Sequence, residues 1–392
     1  RRQAGCFMLN FSFHNPTSIH FGTGQIAKLD KEIPKDANVL IIYGGGSIKK
    51  NGIFDQVVEA LGTRQWYEFS GIEPNPSYDT VIKSLPVITD NNVDYLLAVG
   101  GGSVIDGAKF IAAAAQFDGA DPWDIIAKRA RITKALPLGV VLTLPATGSE
   151  SNSNGVVTRH GNKLPFGSKL LRPQFAVLDP QVTLSLSDRQ IGNGIVDAFV
   201  HVMEQYLTYN VNGKVQDRFS EGLLLTLIEE GPKALDNPTK DDLEVRANAM
   251  WSATLALNGL IGAGVPQDWT AHMIGHELTG LYNIDHARTL SITLPAVMKV
   301  RREAKRDKLL QYAERVWHVV DGTEDQRIDT AIELTERFFK QMNLPTRLSD
   351  IDLDASHIDT ILEKLQQHGM VALGEQREVT PEISRVILET AL

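Results

Sequence analysis

Two short segments constrain this chain more than any other. Residues 195–206 read I-V-D-A-F-V-H-V-M-E-Q-Y, and residues 271–286 read A-H-M-I-G-H-E-L-T-G-L-Y-N-I-D-H. Asp197 and His201 are four residues apart in an otherwise apolar run, so one helix face carries both. An ionised carboxylate on so apolar a helix is costly to bury unless positive charge compensates it, and a metal ion is the most economical source. His272 and His276 repeat the spacing, and His286 follows ten residues later, beyond a Gly expected to end the helix. Two helices and a loop thus supply nitrogen and oxygen ligand candidates.

A single Asp-x3-His pair is ordinarily a local hydrogen bond or a core histidine, but three His within sixteen residues of a chain holding ten in all argue for more. Imidazole with carboxylate suits zinc or ferrous iron, and without a set of thiolates no Cys-rich structural zinc site is available. A metalloprotease does not fit. His276-Glu277 is followed by Leu278, Thr279 and Gly280, so no second His completes H-E-x-x-H, and Gly275 stands where H-x-x-E-H needs Glu. Metal-assisted hydrolysis stays open at this point.

With 392 residues the chain exceeds the size at which one core keeps growing, so two domains are expected. A net charge of -9 gives no support for a nucleic-acid partner. The basic cluster R-R-E-A-K-R at 301–306 is interrupted by Glu303 and reads as a solvated helix face. One cysteine, Cys6, excludes an intrachain disulfide and suits a reducing cytoplasm. No apolar run approaches the roughly 20 residues needed to span a bilayer. Residues 1–7 read as a non-native remnant or frayed extension before Met8.

From Met8 a strand-like N-F-S-F-H leads to two consecutive units of strand, glycine-rich turn and helix. V-L-I-I-Y at 39–43 runs into Gly44-Gly45-Gly46-Ser47, and Y-L-L-A-V at 95–99 runs into Gly100-Gly101-Gly102-Ser103. A third buried strand near 137 ends in T-L-P-A-T-G-S-E, and F-A-V-L-D-P at 175–180 reads as the last, after an irregular or hairpin excursion through Lys163. Strands alternating with helices indicate a parallel, doubly wound sheet. From 188 onward helical patterns follow one another to the end. The expectation is a dinucleotide-binding α/β domain over 8–187 and a helical metal-binding domain over 188–392.

Glycine lets each turn tighten and approach a ligand, while the helix after the second turn offers unpaired N–H groups and a positive dipole end to a phosphate. The G-x-G-x-x-G fingerprint is not met, because Ile105 occupies its last position. Two such turns in consecutive units still favour a dinucleotide.

A glycine-rich α/β half followed by a helical half carrying D-x3-H, H-x3-H and a further His resembles the iron-containing (group III) alcohol dehydrogenases over nearly the whole chain. L-A-V-G-G-G-S-V, T-L-P-A-T-G-S-E-S-N, V-D-A-F-V-H-V-M-E-Q-Y and H-M-I-G-H-E-L-T are similar to the branch of bacterial NADPH-dependent aldehyde reductases, also called butanol dehydrogenase-like. The resemblance implies a Rossmann-like domain with a parallel sheet, followed by an all-α, dehydroquinate synthase-like metal domain. It implies that Asp197, His201, His272 and His286 bind one Zn2+ or Fe2+, with His276 outside the ligand set, near nicotinamide and substrate. Gly101, Gly102 and Ser103 would then hold the pyrophosphate, and Gly44, Gly45 and Ser47 would surround the adenosine ribose. Thr143, Leu144 and Thr147 would line the coenzyme site, Lys163 would reach coenzyme hydroxyls, and Asp106 would lie in the same cleft.

If the first turn faces that ribose, its lack of Asp or Glu admits a 2'-phosphate, so NADP(H) is expected over NAD(H). The implied activity is hydride transfer between NADP(H) and an aldehyde/primary alcohol pair, with His276 moving the proton. Two rivals are an NAD-linked glycerol dehydrogenase-like polyol oxidoreductase and a dehydroquinate synthase-type lyase, which would recycle its coenzyme with no net change in nicotinamide absorbance. Trp251, Gln267, Trp269 and Tyr282 are candidates for the substrate pocket. A homodimer is expected, with an edge strand near residues 10–14 pairing across a two-fold axis.

Overall fold

The computed structural model describes residues 7–392. Residues 1–6, most of the segment read as a remnant or frayed extension, lie outside the described residues. The chain forms two compact units, one of residues 14–187 with 241–254, the other of residues 7–13 with 188–240 and 255–392.

In the first unit six strands form a parallel sheet: β1 (Ser18–Phe21), β2 (Asn38–Ile42), β3 (Gln65–Phe69), β4 (Tyr95–Gly100), β5 (Leu138–Leu142) and β8 (Phe175–Leu178). Their order is β1-β8-β5-β4-β2-β3, every pair parallel. The intervening β6 (Asn154–Arg159) and β7 (Asn162–Gly167) make a separate antiparallel hairpin. Its two-residue turn, His160-Gly161, has positive φ at both positions, the conformation whose twist matches the strands. β4 and β5 are buried along their whole length, which is why they read as unbroken apolar runs. From β2 the chain steps outward to β3 and then returns to the other side of β2 for β4. That reversal is the switch point outside which open α/β sheets bind ligands.

The second unit is helical. Its central helix, Asp188–Tyr206, is buried at every position from Gly194 to Tyr206, so it is covered all round instead of on one stripe, and its polar side chains Asp197, His201, Glu204 and Gln205 are buried with it. The helices Thr270–Tyr282 and His286–Val300 approach closely at Gly275, where a Cβ would lie 2.5 Å from Thr289 Oγ1.

Four expectations need correction. Residues 8–17 form no strand, and the sheet-edge strand is β1. Residues 7–13 belong to the helical unit, where the Leu9 N–H donates to Gly264 O and the Phe11 ring fills the space beside Gly264. Residues 241–254 belong to the α/β unit: Arg246 donates to Thr183 O at 2.6 Å, and the Thr254 hydroxyl to Glu150 at 2.7 Å. The 301–306 cluster is no solvated helix face. Residues 301–305 form turns, and Lys305 is buried, paired with Asp268 at 2.8 Å and Glu375 at 3.2 Å. Charge spacing alone does not distinguish a cation facing water from one facing buried carboxylates.

Gly139 of β5 lies opposite Phe175 of β8, whose fully buried ring occupies the volume a side chain at 139 would need. Gly139→Ala should therefore destabilise the α/β unit by about 1–3 kcal/mol through overpacking, read as a lower urea midpoint with an unchanged slope.

Candidate functional site

Three helices of the helical unit converge on one cluster. Asp197 and His201 come from Asp188–Tyr206, His272 from Thr270–Tyr282, and His286 opens His286–Val300. One ligand atom from each can be chosen so that all four lie within 4.8 Å of one another. From Asp197 Oδ1 the Nε2 atoms of His286, His201 and His272 stand at 3.1, 3.7 and 3.9 Å. A tetrahedral ion with bonds of about 2.0–2.1 Å sets its ligands roughly 3.4 Å apart, so the spacing fits one divalent ion. The donor set fits as well: one carboxylate and three imidazoles suit zinc or ferrous iron. Asp197, His201 and His272 are almost wholly buried, whereas the His286 side chain keeps 21% of its exposure.

His286 was expected on a loop behind a helix-ending glycine. Instead Gly280 lies within the helix, which continues to Tyr282 and stops at Asn283 in the left-handed conformation (φ 54°). Asn tolerates that backbone, and a new helix starts three residues later. Asp285, just before it, accepts from Asn193 and pairs with Arg189, tying the start of this helix to the one carrying Asp197.

Glu204 was missed as a site residue. One of its oxygens accepts from the Ala271 N–H at 2.8 Å, capping the helix that carries His272, and the other bonds His272 Nδ1. A carboxylate on Nδ1 fixes the imidazole's tautomer and turns Nε2 toward the cluster. Burial first, and the neighbouring Asp268 carboxylate second, push the Glu204 carboxyl well above the usual range. The signal was present in the spacing, since Glu204 lies seven residues after Asp197 on the same helix face.

His276 is buried but stands apart from the cluster, its ring centroid 5.7 Å from that of His286 and 6.3 Å from that of His272. Of the four pocket candidates, Trp269 borders the cluster. Its ring meets His272 edge-on at 5.2 Å and His201 at 6.2 Å, and its Nε1 donates to Gln267. Tyr282 instead meets His357, and Trp251 lies in the α/β unit against Phe21.

In the α/β unit the glycine turns after β2 and β4 lie side by side at the switch point, where a Cβ on Gly44 would stand 3.7 Å from Val104. The second turn opens directly into the helix Gly102–Ala114, whereas the first opens a four-residue helix, Ser47–Lys50. The dipole argument therefore favours the second for a phosphate. The segment after β5 closes on this turn: Thr143 N donates to Gly100 O, Leu144 lies beside Gly101, and Thr147 occupies the space a side chain on Gly102 would need. Gly101, Gly102, Ser103, Thr143, Leu144, Thr147 and Lys163 are thus brought together. Asn75, which sequence reading did not single out, joins two of them. Its backbone N–H donates to Ser103 Oγ at 3.3 Å and its side-chain Oδ1 accepts from Lys163 Nζ at 3.0 Å.

Two expectations for this unit are extended. Asp106 also has a scaffold role beside its expected place in the cleft, accepting from Ser149 Oγ at 2.7 Å and from the Val156 N–H at 3.0 Å, where burial raises its pKa and Lys109 opposes the shift. The first turn carries no acid of its own, but Glu68 from β3 stands beside it, 2.7 Å from Lys49 Nζ and accepting from the Tyr43 hydroxyl at 2.8 Å.

Residues 16–180 match the iron-containing alcohol dehydrogenase family model, and residues 192–390 match that of the Fe-containing alcohol dehydrogenase family, C-terminal. The chain is 56% identical to the NADPH-dependent aldehyde reductase YqhD of Escherichia coli (strain K12), over 98% of this chain and 100% of that protein. It is 40% identical to the probable NADH-dependent butanol dehydrogenase 1 of Bacillus subtilis (strain 168), again over 98% and 100%. A crystal structure of the E. coli K-12 protein YqhD superposes with a TM-score of 0.97 at 55% identity, over 99% of this chain and 100% of that one. With both halves matched and relatives aligned end to end, the chain belongs to the iron-containing alcohol dehydrogenase family.

Proposed function

We propose that this dehydrogenase works as an NADPH-dependent aldehyde reductase of broad specificity, with one zinc or ferrous ion held by Asp197, His201, His272 and His286. The observation that carries the reading is the buried carboxylate with three imidazole nitrogens at ion-binding spacing. NADPH is favoured by the relative of 56% identity named for that coenzyme, although the 40% relative is named for NADH. Family membership favours an alcohol dehydrogenase over the lyase reading, and the relatives named for aldehyde reduction and butanol favour it over the polyol reading. A held ion would supply Lewis acidity to a carbonyl oxygen, and bound NADPH would supply the hydride.

The protein's own residues do the rest. Gly101, Gly102 and Ser103, at the start of their helix, bind pyrophosphate, with Thr143, Leu144 and Thr147 behind them. Gly44, Gly45 and Ser47 take the adenosine ribose, and Lys163, held by Asn75, reaches coenzyme hydroxyls. Trp269 shields two ligand rings from water. His276 sits beside His286 without joining the ligand set, and an imidazole there can pass a proton to the alcohol oxygen at neutral pH.

Homodimerisation in the cytoplasm belongs to the same proposal. Phe7, Leu9, Phe11 and Phe13 are each 43–56% exposed, an apolar row that a second copy would cover, and no helix of the described residues is long and apolar enough to cross a membrane.

The direct test is NADPH consumption with butanal, on protein as purified, after chelation, and after adding back zinc or ferrous iron separately. Loss on chelation and recovery with one ion is expected, and no consumption in any state refutes the reading. His272→Ala and Asp197→Ala should each lower bound metal from about one per chain to near zero, with kcat falling roughly a thousand-fold or more. His276→Ala should keep the metal and lower kcat by about a hundred-fold, and metal loss in that variant would contradict the ligand assignment. A Cβ at Gly45 would meet nothing within 4 Å, so Gly45→Asp introduces charge without a clash at the backbone. It should raise KM for NADPH about ten-fold, and an unchanged KM would remove this turn from the ribose site.

A further inference from the structure

We propose that Lys49 sets coenzyme choice by neutralising Glu68, which would otherwise repel the 2'-phosphate of NADPH. The inference rests on the NADPH reading above and supplies a mechanism for it.

The topology places an acid beside the turn assigned to the adenosine ribose. In doubly wound nucleotide folds an Asp or Glu that reaches the adenosine ribose takes its hydroxyls, and the first glycine turn is the one assigned above to that ribose. β3 is the hydrogen-bonded neighbour of β2, and Glu68 is the next-to-last residue of β3, opposite Ile41. A bare carboxylate there selects NADH and rejects a 2'-phosphate.

Glu68 is not bare. Lys49 Nζ lies 2.7 Å from Glu68 Oε1, and the Tyr43 hydroxyl donates to the same oxygen at 2.8 Å. The ammonium is steered there by aromatic faces, 4.7 Å from the Phe54 ring centroid and 5.6 Å from that of Tyr43. Both charges keep access to water, with side chains 46% and 34% exposed, so a ligand at the turn can feel them. A surface ion pair of this kind adds little to stability, so its value lies in the field it presents. With Lys49 in place the acid and the base cancel beside a turn whose own residues, Gly45 and Gly46, leave open space. Each protonation equilibrium follows the contact: the Lys49 partner lowers the pKa of Glu68, and Glu68 raises that of Lys49. The pair thus stays charged across the neutral range. The first turn lacks Asp or Glu in its own sequence, and only strand pairing shows the acid that approaches it from β3.

The test is a binding measurement without aldehyde: NADPH and NADH titrated separately into the metal-loaded protein, by calorimetry or nicotinamide fluorescence. It covers wild type, Lys49→Met, Glu68→Gln and the double variant. The quantity read is the ratio of the NADPH to the NADH dissociation constant. Lys49→Met should raise this ratio about ten-fold, as expected for one newly exposed like charge. Glu68→Gln alone should not raise it, and adding Glu68→Gln to Lys49→Met should return it to near the wild-type value. A ratio unmoved by Lys49→Met overturns the inference. So does a double variant as impaired as the single one, because Lys49 would then act on the phosphate directly. Wild-type protein binding NADH more tightly would refute the NADPH preference itself and the inference with it. Failure to reduce any aldehyde would count against the proposed activity and leave these ratios readable.

Discussion

The structure of the helical unit depends on burying one carboxylate. Asp197 sits on a helix with no solvent-facing side over its last thirteen residues, so its charge finds no compensation from water. Three imidazoles from three helices are turned toward it, two of them as buried as the carboxylate itself. Imidazole nitrogens neutralise a carboxylate poorly at neutral pH, whereas a divalent ion among them satisfies all four. The surrounding structure serves that arrangement. Gly275 lets two ligand-bearing helices touch at Thr289, Asp285 fastens the start of one to the central helix, and Glu204 fixes the ring of His272. Behind Glu204, Asp268 pairs with the buried Lys305, which also reaches Glu375 and Leu207 O.

The α/β unit answers a different demand, an anionic ligand that must approach the backbone. Its two glycine turns occupy the ends of adjacent strands β2 and β4, where the strand order reverses. The turn leading directly into a thirteen-residue helix offers the stronger dipole, and the one leading into four residues offers open space. One turn therefore suits a charged diphosphate and the other a sugar. In the proposal above, Lys49 and Glu68 decide what the sugar carries.

Much of this was legible in the residues. Continuous apolar runs marked β4 and β5 because both faces of those strands are covered, and helical spacing put Asp197 with His201 and His272 with His276 on shared faces. What was not legible depends on contacts distant in sequence. Residues 10–14 alternate as a strand would, but the Leu9 N–H finds Gly264 and no sheet. Lys305 is spaced like a surface cation and buried by Asp268 and Glu375, 37 residues before it and 70 after. That Asp106 also accepts from Ser149 and Val156 depends on segments more than forty residues away. Glu68 was overlooked because the acid was sought along the chain after Tyr43, whereas strand pairing brings it from the side.

The most direct test of the account is anomalous diffraction from crystals of metal-loaded protein, recorded at the zinc and iron absorption edges. The account predicts one peak per chain, about 2.0–2.2 Å from an Asp197 oxygen and from Nε2 of His201, His272 and His286, with His276 outside bonding distance. A peak bound by His276 in place of His272, or no peak among these four residues in protein that carries metal, would contradict it.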